Sequence, residues 1–136
     1  VEMTFTMEPD VPKYVMSDGD WLKEMLCSLI SNAKKFTEAG SIETVVSYHD
    51  TTVSVDGEEH SPMIVFQVLD TGHGIPQESQ GKLFKPFPDI QHKVGGAGLG
   101  LFGVKLKAEA LGGEAGFLDR SALGDGDIAG SIFWFS

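Results

Sequence analysis

The sequence predicts an α+β fold in which a sheet carries its helices on one side. Three observations lead there. One segment repeats its apolar residues at the three-and-four spacing of a helix, and a second does so after a glycine run. Five segments read as strands, and several of these follow one another without an intervening helix. Strict alternation of strand and helix, the mark of a doubly wound parallel sheet, is absent.

Glu2 to Met7 alternates apolar and polar residues as a half-buried strand does, and Pro9 and Pro12 then bound a loop. Asp18 or Asp20 can cap the helix that follows. From Trp21 the positions Leu22, Met25, Leu26, Leu29, Ile30 and Ala33 form one apolar stripe, with the helix ending near Gly40. Ile42–Tyr48 and Met63–Leu69 read as two strands of a hairpin joined by the long polar connection Asp50–Pro62. Pro76–Phe84 reads as a short helix and Pro86–Val94 as irregular. Gly98–Leu111 is the second long helix, with Leu101, Val104, Ala108 and Leu111 on one face and Gly112-Gly113 as its stop. Glu114–Leu118 and Ser131–Phe135 form a last strand pair across a Gly/Asp-rich turn. No internal repeat or low-complexity segment interrupts this order.

A chain of 136 residues with 41% hydrophobic content is long enough to bury one core, so residues 1–136 are read as a single domain. No apolar run reaches the roughly 18–20 residues of a membrane span, and the first residues lack a signal peptide's basic and apolar regions. The chain starts without Met inside a strand pattern and stops on an apolar run, which suggests a piece excised from something longer. Twenty acidic against ten basic residues give a net charge of −10, which argues against nucleic acid and anionic membrane as partners. Any phosphate site must therefore be local. Cys27 is the one cysteine, which excludes a disulfide framework and fits a reducing, cytoplasmic setting.

Three stretches carry chemistry. Gly95 to Leu101, Gly-Gly-Ala-Gly-Leu-Gly-Leu, runs straight into a helix. Small residues there admit a ligand close to the backbone, and the free amides of the first turn, with the helix dipole, favour a phosphate. On the first helix Glu24, Ser28 and Asn32 form a four-residue row offset from the apolar stripe, with Lys35 and Phe36 beyond it. Asn32 can offer an amide oxygen to a hard cation such as Mg²⁺, Lys35 a point charge to a phosphate, and Phe36 an aromatic face to a base. Taken singly, each of these three also fits an ordinary residue at a helix end. The third stretch, Asp70-Thr71-Gly72-His73-Gly74-Ile75, follows a strand directly. A carboxylate accepts only, so Asp70 would take a hydrogen bond from the exocyclic amine of adenine and oppose the carbonyl of guanine, while Gly72 and Gly74 let the loop close. Asp-x-Gly at a strand end is also an ordinary turn.

Taken together and in order, these stretches resemble the ATP-binding catalytic domain of sensor histidine kinases. That domain belongs to the wider superfamily of histidine kinases, type II topoisomerases, ATPase chaperones and mismatch-repair ATPases. Asp18–Thr37 is similar to its asparagine box, Asp70–Gly74 to its first glycine box, Phe84-Lys85-Pro86-Phe87 to its phenylalanine box and Gly96–Gly100 to its second glycine box. Gly130–Phe135 resembles the usual last strand.

The resemblance implies a two-layer α/β sandwich of Bergerat type, with a mixed sheet and ATP held on the helical side under a lid at Pro88–Val94. It implies that Asn32 coordinates Mg²⁺, Lys35 supports the phosphates, Phe36 lies near the base and Asp70 reads the adenine amine. Gly72, Gly74 and Ile75 shape the base loop. Gly96 and the amides of Gly98, Leu99, Gly100 and Leu101 cradle the phosphates, and Lys93 in the lid adds a phosphate contact. His92 reads as an exposed loop residue. Two positions depart from the pattern. Ser28 stands where kinases carry a second polar residue, Asn or sometimes Asp, and joins Asn32 as a metal residue whose hydroxyl can hold a water on Mg²⁺ but is a poorer ligand than an amide; the ATP-hydrolysing relatives have a glutamate general base there. Ala97 replaces a frequent threonine.

The family's phosphoacceptor is a histidine on a separate helical dimerisation domain, followed by an acidic residue. His49, His60, His73 and His92 lack that setting. The resemblance thus implies half of a kinase, whose partners are that helical domain and, in a phosphorelay, a response-regulator receiver domain. The alternative is a degenerate domain that binds nucleotide without transfer.

Overall fold

The computed structural model describes residues 1–49, 62–75, 77–84, 100–120 and 130–136. Their elements in chain order are β1 (Glu2–Met7), α1 (Gly19–Phe36), β2 (Ser41–His49), β3 (Met63–Asp70), α2 (Gln77–Gln80), α3 (Gly100–Ala110), β4 (Ala115–Asp119) and β5 (Ser131–Phe135). The strands form one mixed sheet in the order β1-β2-β3-β5-β4. β1 pairs parallel to β2, with α1 as the crossover between them. Every other pairing is antiparallel.

One face of the sheet builds the core. Ile42, Val68, Phe133 and Phe135 cluster with Met25, Leu29 and Ala33 of α1 and with Leu101, Val104 and Ala108 of α3. Phe66 stacks on Phe135 at 4.7 Å between ring centres, and Phe117 tilts against Phe133 at 5.2 Å. Leu22, Leu26 and Ile30 pack partly buried around this centre, so the whole predicted stripe of α1 faces the core. With both long helices on this face, the α+β reading and the two-layer sandwich hold.

The differences lie at the edges. Of the two candidate caps, Asp18 is the one used: its Oδ1 accepts from the Trp21 amide at 3.0 Å. α1 stops at Phe36 rather than near Gly40, because Thr37 turns to extended backbone and its side chain is buried. The predicted helix over Pro76–Phe84 is only four residues, Gln77–Gln80, followed by a turn. Leu111 is exposed, because the chain has already left α3: Gly112, at φ +88°, closes the helix while the Gly113 amide donates to the Ala108 carbonyl at 2.8 Å. β1 is a strand as its alternation predicts, yet Met3, Phe5 and Met7 are more than half exposed. Their register partners Ile42 and Val46 lie under α1, whereas β1 is the edge beyond the helix layer.

The Asp18 cap supplies one of the orphan amides of α1 with an acceptor. Asp18→Ala is expected to lower unfolding free energy by about 1 kcal/mol, within the usual range of roughly 0.5–2 for a lost cap, as read from urea denaturation.

Candidate functional site

The cross-strand register brings the chemistry together. Asp70 ends β3 and lies opposite Ile42 on one side and Ser131 on the other, so all three point to the helical face. Asp70 and Ser131 are fully buried. Oδ1 of Asp70 accepts from the Gly72 amide at 3.0 Å, which folds the loop back over its own strand end. Oδ2 has no hydrogen-bond partner among the described residues, and neither do Ser131 Oγ, Thr37 Oγ1 or Asn32 Nδ2, all of them buried. Buried polar atoms are normally paired, and four orphans around one strand end and the last turns of α1 mark a place where a polar ligand completes the bonding. A carboxylate with one oxygen held and the other unpaired suits an exocyclic amine donor.

Burial pushes the Asp70 carboxyl above its ordinary value. The Gly72 and Ser131 amides, the positive charge of Arg120 and, least, His73 pull it back down.

The loop is fixed by close approaches that only glycine permits. A side chain on Gly72 would overlap the Phe36 carbonyl at the end of α1, so the base loop and the asparagine helix are in direct contact. Gly74 sits at φ +79°, a left-handed conformation. Thr71 ties the loop to the start of β2: its amide donates to the Ser41 carbonyl at 3.1 Å, and its Oγ1 accepts from the Ser41 amide at 2.9 Å. Gln80 of α2 donates to the Ile75 carbonyl at 3.0 Å.

Asn32, Phe36, Asp70, Gly72 and Gly74 are thereby assembled at one end of the helical face. Phe36 is partly buried and meets the His73 ring edge-on at 5.8 Å. Ile75 belongs to the core, and so does the side chain of Leu101. Ser28 is half-buried and Lys35 exposed, and Gly100 opens α3 at φ +58°. Glu24, in the same row as Ser28 and Asn32, is ion-paired with Lys107 of α3. Lys93, Gly96, Gly98 and Leu99, with His60, His92, Ala97, the Lys85-Pro86-Phe87 part of the phenylalanine box and the lid at Pro88–Val94, lie outside the described residues.

The site also holds residues that the sequence did not single out: Thr71, Gln80, Ser131 and Arg120. Ser131 had a readable signal, as it sits in a final strand that must pair with a neighbour. Arg120 had none, because its contact with Asp70 spans fifty positions.

No group of three or more His, Cys, Asp or Glu side chains able to hold a metal occurs among the described residues. Asn32 and, one turn earlier on α1, Ser28 carry oxygen donors of the kind that would suit a Mg²⁺ ion held by few protein ligands.

A mixed sheet with both long helices on one face, and a buried carboxylate at the end of a central strand, define a two-layer α/β sandwich. Residues 17–136 match the family described as histidine kinase-, DNA gyrase B-, and HSP90-like ATPase, and the chain belongs to that family. It is 32% identical over 142 residues to the signal transduction histidine-protein kinase BarA of Escherichia coli (strain K12), covering 99% of this chain and 14% of BarA. It is 35% identical over 130 residues to the sensory/regulatory protein RpfC of Xanthomonas campestris pv. campestris, covering 93% of this chain and 16% of RpfC. Among solved structures, full-length ShkA in complex with AMPPNP matches with TM-score 0.72 and 29% identity, over 98% of this chain and 24% of ShkA. The nucleotide-free catalytic domain of histidine kinase ThkA matches with TM-score 0.69 and 26% identity, over 98% of this chain and 76% of that one.

Because the folded-state value of Asp70 is raised, its charged form costs stability. The contribution is favourable below the unfolded value of an ordinary aspartate and is lost as pH rises through the folded value. Asp70→Asn, which cannot ionise, is therefore expected to melt above the native protein at neutral pH. That advantage should shrink as pH is lowered toward about 4. Nucleotide-free melting curves across this range check it.

Proposed function

We propose that this chain is the ATP-binding half of a histidine kinase, a piece of a longer cytoplasmic signalling protein, which donates the γ-phosphoryl group to a histidine on a separate helical dimerisation domain. What supports this is the orphaned Asp70 Oδ2, a buried acceptor left open to a donor, on a chain whose relatives are histidine kinases. The AMPPNP bound to ShkA supports a nucleotide as the ligand.

In this reading Asp70 accepts from the adenine amine and excludes guanine, whose carbonyl would face a buried acceptor at a cost of roughly 1–3 kcal/mol or more. Gly72 and Gly74 hold the loop at the base, with Phe36 beside it. The amides at the start of α3, Gly100 and Leu101 among them, receive the phosphates, with Lys35 and Lys93 adding positive charge. Asn32, through its amide oxygen, and Ser28, one turn earlier, would hold the Mg²⁺ that accompanies ATP. Bound Mg²⁺ would neutralise phosphate charge. The chain's own residues position the γ-phosphorus for in-line attack by the partner's imidazole nitrogen; the new P–N bond forms as the P–O bond to the β-phosphate breaks, and ADP leaves.

Direct hydrolysis is disfavoured. Ser28 cannot act as the general base, and Glu24, one turn back, is committed to Lys107. Ser28 also favours the second reading, a domain that binds nucleotide and signals by contact alone. Receiver domains fit as downstream partners, since relatives include hybrid signal transduction histidine kinases of Dictyostelium discoideum.

Incubating the chain with Mg-ATP and the helical domain of its parent protein is expected to yield acid-labile phosphohistidine on the helical domain. Binding without label would replace transfer by the contact reading, and steady phosphate release from the chain alone would overturn both. In the same assay Asp70→Asn is expected to weaken ATP about 10- to 100-fold, the loss of one charged hydrogen bond, as measured by calorimetric titration.

A further inference from the structure

Three strands place Asp70, Ser131 and Asp119 side by side across the sheet. Arg120 follows Asp119 immediately and turns back along this row. Its amide donates to the Gly130 carbonyl at 3.2 Å, and its Nη1 donates to the Asp70 carbonyl at 3.1 Å. Gly130 is what lets it through: at φ +136°, any side chain there would overlap the Asp70 carbonyl and press on Arg120 Cδ. The Asp70 carbonyl belongs to the last residue of β3, where the chain leaves the ladder for the Thr71-Gly72 loop.

We propose that Arg120 is a positioning residue for base recognition, clamping the end of β3 through the Asp70 carbonyl and bringing a permanent positive charge to the strand end that carries the Asp70 carboxylate. It rests on Asp70 being the group that reads the base. Any neutral donor could satisfy the carbonyl. A guanidinium does more, because its charge is fixed throughout the accessible pH range and acts across a buried, weakly screened space.

Among the described residues, the charged and titratable groups toward Asp70 are few. Arg120 comes from the end of β4 and His73 from the loop of Asp70 itself. Asp119 lies two strands away in the same row, within reach of Gln80 Nε2. On the helical layer Lys35 is exposed and Lys107 is paired with Glu24. Arg120 is thus the fixed cation that balances the desolvated carboxylate. A carboxylate that took up a proton would become a donor, able to meet a guanine carbonyl, so the same cation also guards the choice of purine.

Calorimetric titrations of ATP and of GTP, with Mg²⁺, across mildly acid to neutral pH test this on the native chain, Arg120→Gln, Arg120→Lys and Asp70→Asn. Arg120→Gln keeps a donor and loses the charge. The pH at which ATP binding is half lost is expected to rise by about one unit, with a smaller ATP-over-GTP preference just above that pH. Arg120→Lys should restore most of the native midpoint. His73 is present in every arm and cancels, and far-ultraviolet dichroism confirms that each variant is folded; should Arg120→Gln fail to fold, an Arg120→Lys midpoint about one unit above the native one overturns the role of the charge. An unmoved midpoint in Arg120→Gln, with Asp70→Asn still abolishing the pH dependence, overturns the role of Arg120 and leaves the site intact. Unchanged ATP affinity in Asp70→Asn overturns the reading of the site itself.

Discussion

The constraint on which the rest of the structure depends is a carboxylate kept out of water with only half of its bonding done. An isolated buried charge is expensive, and proteins normally pair it or neutralise it. Here the expense is contained by the Gly72 amide on one oxygen and the Arg120 charge nearby, while the other oxygen stays open. The fold serves to hold that arrangement. β3 is central, paired on both sides, so its last residue is fixed by β2 and β5 at once.

Backbone closeness does the rest. Gly72 lies against the Phe36 carbonyl, and Gly130 against the Asp70 carbonyl. At each point a methyl group would force two elements apart: the base loop from the asparagine helix, and the turn into β5 from β3. The glycines therefore set the distance between groups that must act on one ligand. Thr71 adds a second tie, to the start of β2. Within the helical layer, Glu24 and Lys107 join α1 to α3 at the surface, on the row that Asn32 shares.

The long periodic elements were legible in the sequence because their signal is local. Six apolar positions of α1 predicted its core face, and Asp18 stood where a cap had to be. Where periodicity ends, legibility ended too. Nothing local says that Thr37 leaves the helix to be buried, or that the helix ends at Ala110 and leaves Leu111 exposed before Gly112. β1 shows the limit from the other side: its alternation is that of a half-buried strand, but burial depends on a helix lying over it, which alternation does not encode. Asp70, Gly72, Gly74 and Asn32 were singled out because their stretches fall in one order along the chain; each alone also fits an ordinary turn or helix end. Ser131 and Arg120 reach the site through strand pairing, and pairing is a property of the folded sheet.

Ser28 decides what kind of chemistry this pocket can support. A glutamate there would take a proton from water; a hydroxyl on a half-buried helix face cannot, at any accessible pH. The nearest carboxylate on the same row, Glu24, is drawn to Lys107 and away from the Asn32 end of α1. The chain therefore assembles groups that recognise, orient and neutralise a nucleotide, but no group suited to activate water among the described residues at that turn. The transfer proposed above, to a nucleophile brought by another domain, needs no such base, so what this helix row lacks for hydrolysis is nothing that transfer would require.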